Sequence, residues 1–277
     1  MKMTCGTRFR GIVLTALILF GLGQTGLFAG GKKDQAPAAT AADQAPVTML
    51  VAAAASLRNS YEKELIPLFQ QKYPWITVEG TYDSSGKLQT QIEEGLGADV
   101  FMSAAPTQMN NLVGKGLVSA DTVKPLLENK IVLIKPKGTA TTVTSFQTIT
   151  NAKTIALGDP ASVPAGQYAR EAFTSLGIWD KVQAAKPSLG TNVTEVLNWV
   201  GQGSADVGVV YATDAASVNT VEVIAEAPAG SLAQKVIYPV GIVTASAHPE
   251  EAKLFIEFLA SAEALGIFKS YGFTGNN

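Results

Sequence analysis

Four short stretches of this chain share one arrangement: an apolar run ends, small or hydroxyl residues follow, and a helical pattern begins. They are "AAAASL" (52–57), "YDSSGK" (82–87), "FMSAAP" (101–106) and "GDPASVPAGQYA" (158–169). A helix start exposes backbone N–H groups with no acceptor inside the helix, together with the positive end of the helix dipole, so it attracts anions. Small residues admit a ligand to that backbone, and serine adds a hydroxyl donor. Each stretch taken alone also has an ordinary structural role. Ser56 suits the cap of a helix carrying Leu57 and Tyr61, and Ser84 and Ser85 suit the cap of a helix over 87–94. The alanine run suits core packing, and Pro164 suits the first turn of a helix. Four such stretches in one chain point to binding, because strand ends in an α/β fold converge on a common crevice.

Catalysis finds little to work with. The single histidine, His248, lies in "AHPEEA" at a helix entry, and the chain carries no G-x-S-x-G elbow, P-loop or H-E-x-x-H pair. A serine–lysine dyad using Lys87 is the one nucleophilic arrangement left, and Glu93 and Glu94 read as a solvated helix face. The chain therefore reads as a binding protein and not as an enzyme. With 21 basic and 23 acidic residues, the net charge of −2 provides no polycationic face for nucleic acid. The only cysteine is Cys5, so a disulfide or a thiolate metal site within the fold is excluded.

The elements that must position these stretches alternate along the chain. Strands are expected at 47–55, 76–82, 98–104, 130–136, 154–159, 205–212, 221–227 and 235–246. Helices are expected after Leu57, after Ser85 and after Pro106, then over 165–176, 193–202, 249–261 and 263–273. This order implies α/β architecture with a parallel-rich sheet covered on both faces. Ahead of it, Lys2, Arg8 and Arg10 precede the apolar run "GIVLTALILFGLG", and small residues follow near Ala29, so residues 1–30 read as an export signal. Residues 31–46, rich in Ala, Pro and Gln, read as a flexible tether, which places the protein in the periplasm with a possible link to the inner membrane.

Taken together, "VAAAASL" (51–57), "SSGKLQTQIEEGLGADVFMSA" (84–104), "GDPASVPAGQYAREAF" (158–173), "GVVYATDA" (208–215) and "YGF" (271–273) resemble the periplasmic molybdate-binding proteins of ABC importers. The resemblance runs from about residue 47 to 273. It implies the two-lobed type II periplasmic binding-protein fold, with mixed, mostly parallel sheets flanked by helices and a hinge between the lobes. The first lobe would be 47–129, the second 130–236, and the chain would return to the first lobe over 237–277.

The resemblance further implies that a molybdate or tungstate oxyanion is held by neutral donors and delivered to an ABC transporter permease. By position, its oxygens would be held by Ser56, Ser85, Ala165, Val193 and Tyr211, with Ala104 a weaker backbone contributor. These residues would bind the oxygens of the anion and not a bare metal ion. The anion would be cargo, no cofactor is implied, and a monomer is expected. Receptors for sulfate or an organic acid, and a cleft enzyme on the same fold, are the competing readings. Lys87, Asp83 and Ala105 depart from the family pattern, which has a small hydroxyl residue for the first and an acid for the last.

Overall fold

The computed structural model describes residues 44–276, so the export signal expected at 1–30 and most of the tether lie outside the described residues. Strand β1 (Val47–Ala54) runs into a 3-10 turn, the short α1 (Arg58–Ser60), a π-helical turn at Tyr61–Leu65 and α2 (Ile66–Lys72). There follow β2 (Ile76–Asp83), α3 (Ser85–Glu93), β3 (Val100–Met102), α4 (Pro106–Gly114) and β4 (Lys124–Asn129). The middle of the chain forms β5 (Ile131–Pro136), β6 (Ile155–Gly158), α5 (Pro164–Ser175), α6 (Trp179–Ala184), β7 (Ser188–Gly190), α7 (Val193–Gly201), β8 (Val207–Tyr211), α8 (Ala212–Ala216) and β9 (Val221–Glu226). The last part contributes β10 (Val236–Ile242), α9 (Pro249–Leu259), α10 (Ala262–Ser270) and β11 (Thr274–Gly275).

Two mixed sheets result. One has the order β11-β4-β10-β3-β1-β2 and the other β7-β6-β8-β5-β9. Parallel pairs occur where a helix crosses back between strands, at β1–β2, β1–β3, β6–β7 and β6–β8. The remaining pairs, made by β4, β5, β9, β10 and β11, are antiparallel. The parallel share is thus smaller than the sequence led us to expect, because the strands flanking the passages between the sheets run against their neighbours.

Register decides where the chain leaves each sheet. Along β1–β2 it runs from Val47 opposite Ile76 to Ala54 opposite Asp83, so Ser56 and Ser85 emerge side by side. Ala53 lies opposite Met102, which brings Ala104 out at the same end. In the other sheet Gly158 lies opposite Gly190, so the chain turns toward α5 and α7 from one level. Ile131 lies opposite Tyr211, so β8 ends where β5 begins. The helices hold these exits by packing: Tyr61 meets Tyr82, Phe255 and Phe268 at ring separations of 6.3, 6.0 and 6.1 Å, and Phe69 meets Phe255 edge-on at 4.9 Å.

The start of α5 depends on a close approach. A Cβ on Gly166 would overlap the carbonyl oxygen of Gly158, so only glycine lets the first turn of α5 sit against the end of β6. We expect Gly166→Ala to destabilise the fold by about 1–3 kcal/mol through overpacking, measured by urea unfolding. An unchanged midpoint would show that this turn relaxes freely.

Candidate functional site

The strand exits described above meet in one small cavity lined by Ala54, Ala55, Ser56, Asp83, Ser84, Ser85, Ala104, Val163, Pro164, Ala165, Val193 and Tyr211. All six residues singled out from the sequence are among them. They come from both sheets: Ser56, Ser85 and Ala104 follow β1, β2 and β3, while Ala165, Val193 and Tyr211 belong to α5, α7 and β8. The cavity is about 10 Å³, close to the room one water needs and far too little for a sugar or an amino acid.

Most of the lining is apolar, and the polar groups set into it include several donors. Ala165 lies in the first turn of α5 and Val193 opens α7, so their backbone N–H groups have no acceptor within the helix. The two serines differ from their neighbour Ser84 in how their hydroxyls are used. Ser84 caps α3, its Oγ accepting from the Lys87 N–H at 3.4 Å. Ser85 Oγ accepts the Ala104 N–H at 2.9 Å, which leaves its own proton available to donate. Ser56 does not cap a helix as its position suggested; the 3-10 turn begins one residue earlier, at Ala55, and no side chain caps it. Its hydroxyl lies 3.0 Å from Tyr238 Oη instead.

A chain of amide and hydroxyl groups continues from that last contact. Asn129 Oδ1 accepts the Lys130 N–H at 2.8 Å, which fixes the orientation of the side-chain amide. Its Nδ2 then donates to Thr213 Oγ1 at 2.9 Å and to Tyr238 Oη at 3.2 Å. Tyr238 Oη accepts there and is able to pass its own proton to Ser56, the arrangement that leaves the Ser56 proton for the cavity; either hydroxyl can be the donor of that pair. Asn129 ends β4 at a passage between the sheets, so this chain joins a strand of one sheet to α8, which follows β8 of the other. The sequence offered no sign of it, since Ser56 and Tyr238 are 182 residues apart.

Tyr211 reaches across the cleft. Its ring packs against Tyr238 at 5.5 Å and 65°, and its Oη donates to the Ala104 carbonyl at a long 3.4 Å. Burial holds the phenol well above its ordinary pKa, so it remains a neutral donor. The one charged residue among the lining residues is Asp83, whose oxygens are both occupied: Oδ1 accepts from the Ser84 N–H at 2.8 Å and Oδ2 lies 3.4 Å from Lys87 Nζ. The cavity therefore offers hydroxyl and N–H donors with no free acceptor among its charged groups. That arrangement suits an anion that carries no proton.

The fold and this cavity define the chain as a two-lobed solute-binding protein. A family model described as bacterial extracellular solute-binding protein matches residues 49–274, and the chain belongs to that family. A substrate-binding lipoprotein of Bacillus subtilis assigned to an ABC transporter is 42% identical over 228 residues, covering 82% of this chain and 86% of its own length. The molybdate-binding protein ModA of Escherichia coli is 36% identical, over 90% of this chain and 96% of its own. Among solved structures, a substrate-binding domain assigned to a molybdenum ABC transporter of Clostridium difficile superposes with a TM-score of 0.64 at 34% identity, covering 83% of this chain and all of that one. The resemblance drawn from the sequence thus holds at the level of the family.

Asp214, in α8, was missed by the sequence reading and lies beside the site. Its carboxylate is 6% exposed and accepts the Tyr211 N–H at 3.3 Å. Burial pushes its pKa up to about 7, against the smaller opposing pull of that hydrogen bond. An acid raised on folding stabilises the fold fully below its unfolded value, near 4, and the contribution is lost as pH rises through about 7. We expect Asp214→Asn to gain stability relative to the parent chain between about pH 5 and pH 8, by roughly 1–3 kcal/mol, in paired urea titrations. A difference that stays constant over that range would remove Asp214 as the titrating group.

Proposed function

We propose that this protein is exported, captures molybdate or tungstate between its lobes and delivers it to an ABC importer. The observation that carries the reading is the convergence of hydroxyl, phenol and N–H donors from both sheets on one small cavity. A fully deprotonated tetrahedral dianion needs donors on all sides and has no proton to give, so a site without free acceptors fits it. Hydrogenphosphate would leave its own proton unpartnered in such a site, a cost of about 1–3 kcal/mol for a buried group. The curated relatives named for molybdate binding support the same ligand.

In this reading Ser56 and Ser85 donate their hydroxyl protons, Ala165 and Val193 donate backbone N–H groups, and Ala104 lies beside them as a backbone contact. Tyr211 shares its phenol proton between the Ala104 carbonyl, a long 3.4 Å away, and an oxygen of the anion. The lobes comprise residues 47–129 with 237–277, and 130–236. The open form admits the hydrated anion, and contacts from both lobes favour the closed form, which the permease recognises. The protein works as a monomer outside the inner membrane, and no described helix is long and apolar enough to cross one.

Isothermal titration of residues 31–277 with molybdate, tungstate, sulfate and phosphate tests the ligand directly. We expect binding of the first two alone, at about −8 kcal/mol or tighter, corresponding to a roughly micromolar or lower Kd. Binding of sulfate or phosphate instead would keep the transport role and change the cargo. Tyr211→Phe and Ser85→Ala should each weaken molybdate binding by about 1.5–3 kcal/mol, the range for a hydrogen bond to a charged group. If both substitutions were silent, the site would lie elsewhere.

A further inference from the structure

On the reading that the cavity holds an oxyanion, we propose that Asp83 and Gly86 form a two-point clasp across the cleft that sets how long the anion stays bound. A carboxylate lining an anion cavity opposes binding by charge repulsion. Its contacts show what it does there. Asp83 ends β2 in one lobe, and its Oδ1 accepts from Asn192 Nδ2 of the other lobe at 3.2 Å. Asn192 is the N-cap of α7, where its Oδ1 accepts the Glu195 N–H at 3.1 Å. That bond fixes the amide so that Nδ2 faces Asp83.

The second point lies three residues on. The Gly86 N–H donates to the Ser162 carbonyl at 3.0 Å, again from one lobe to the other. A Cβ on Gly86 would overlap that carbonyl oxygen, so the contact requires glycine. Ser84 and Ser85 lie between the two points, and Val193 follows Asn192 directly. Residues assigned to hold the anion are thus chain neighbours of residues that fasten the lobes. Lys87 adds little to the fastening, because its ion pair with Asp83 is made within one lobe and both side chains are partly exposed, at 38% and 28%.

The test is the molybdate dissociation rate, followed by stopped-flow chase with excess tungstate. Asn192→Asp keeps an oxygen to cap α7 but sets two carboxylates against each other. It should release molybdate at least about tenfold faster, with association changed less than about twofold. Adding Asp83→Asn to that variant exchanges donor and acceptor, and should return dissociation to within about threefold of the parent protein. Gly86→Ala, which favours the helix it sits in, should also speed release by about tenfold. The clasp is overturned if Asn192→Asp and Gly86→Ala both release molybdate at the parent rate, or if the double variant releases it no more slowly than Asn192→Asp. A parent protein that binds none of the four oxyanions would overturn the ligand reading itself, and the clasp with it.

Discussion

The constraint on which this structure turns is the supply of donors inside a closed space without a buried cation. A carbonyl or carboxylate left free in the cavity would repel an anion, and a lysine would hold any anion regardless of shape. The chain meets the constraint with backbone N–H groups at helix starts, backed by two serines and a tyrosine. Such groups are positioned by whatever holds the helix start. The glycine contact between α5 and β6, the Asn192 cap of α7 and the level exits of β1 and β2 are therefore parts of the site.

Much of this was legible in the sequence because it repeats one local rule. Buried strands announce themselves as apolar runs, and the helices that follow carry clear spacing, so β1, β2, β5, β6, α5, α7 and α9 fall close to their expected places. The elements that escaped notice are those whose stability comes from neighbours. Strand β4, "KPLLEN", contains a proline and polar ends, and exists because β10 and β11 pair with its two edges. Strand β7 is three residues long and α8 five, too short for any period to show.

The site divides along the same line. Ser56, Ser85, Ala104 and Ala165 lie in stretches with a local signature, a strand end followed by a helix, whereas Val193 and Tyr211 were named from the family resemblance. What orients them was not legible, because it is made by residues far apart in the chain: Asn129 with Thr213 and Tyr238, Tyr238 with Ser56, and Asp83 with Asn192. Ser56, expected to hold the anion, also suited a helix cap, and its partner Tyr238 could not be seen from its neighbours. Asp214 looked like an ordinary helix acid, and only the packing of α8 against α7, β5 and β8 buries it.

Three of the six residues that meet in the cavity, Ala104, Ala165 and Val193, were singled out for their main-chain groups. The letters at these positions are held by packing, and the chemistry by backbone direction. A lineage could exchange Val193 for another small apolar residue, or drift at Ala165 within the limits of size, and the inner surface of the cavity would be unchanged. Percent identity would record such steps as divergence. Tallies of changed letters therefore overstate how far the interior of this cleft has travelled, and the slow clock of the site runs in its backbone.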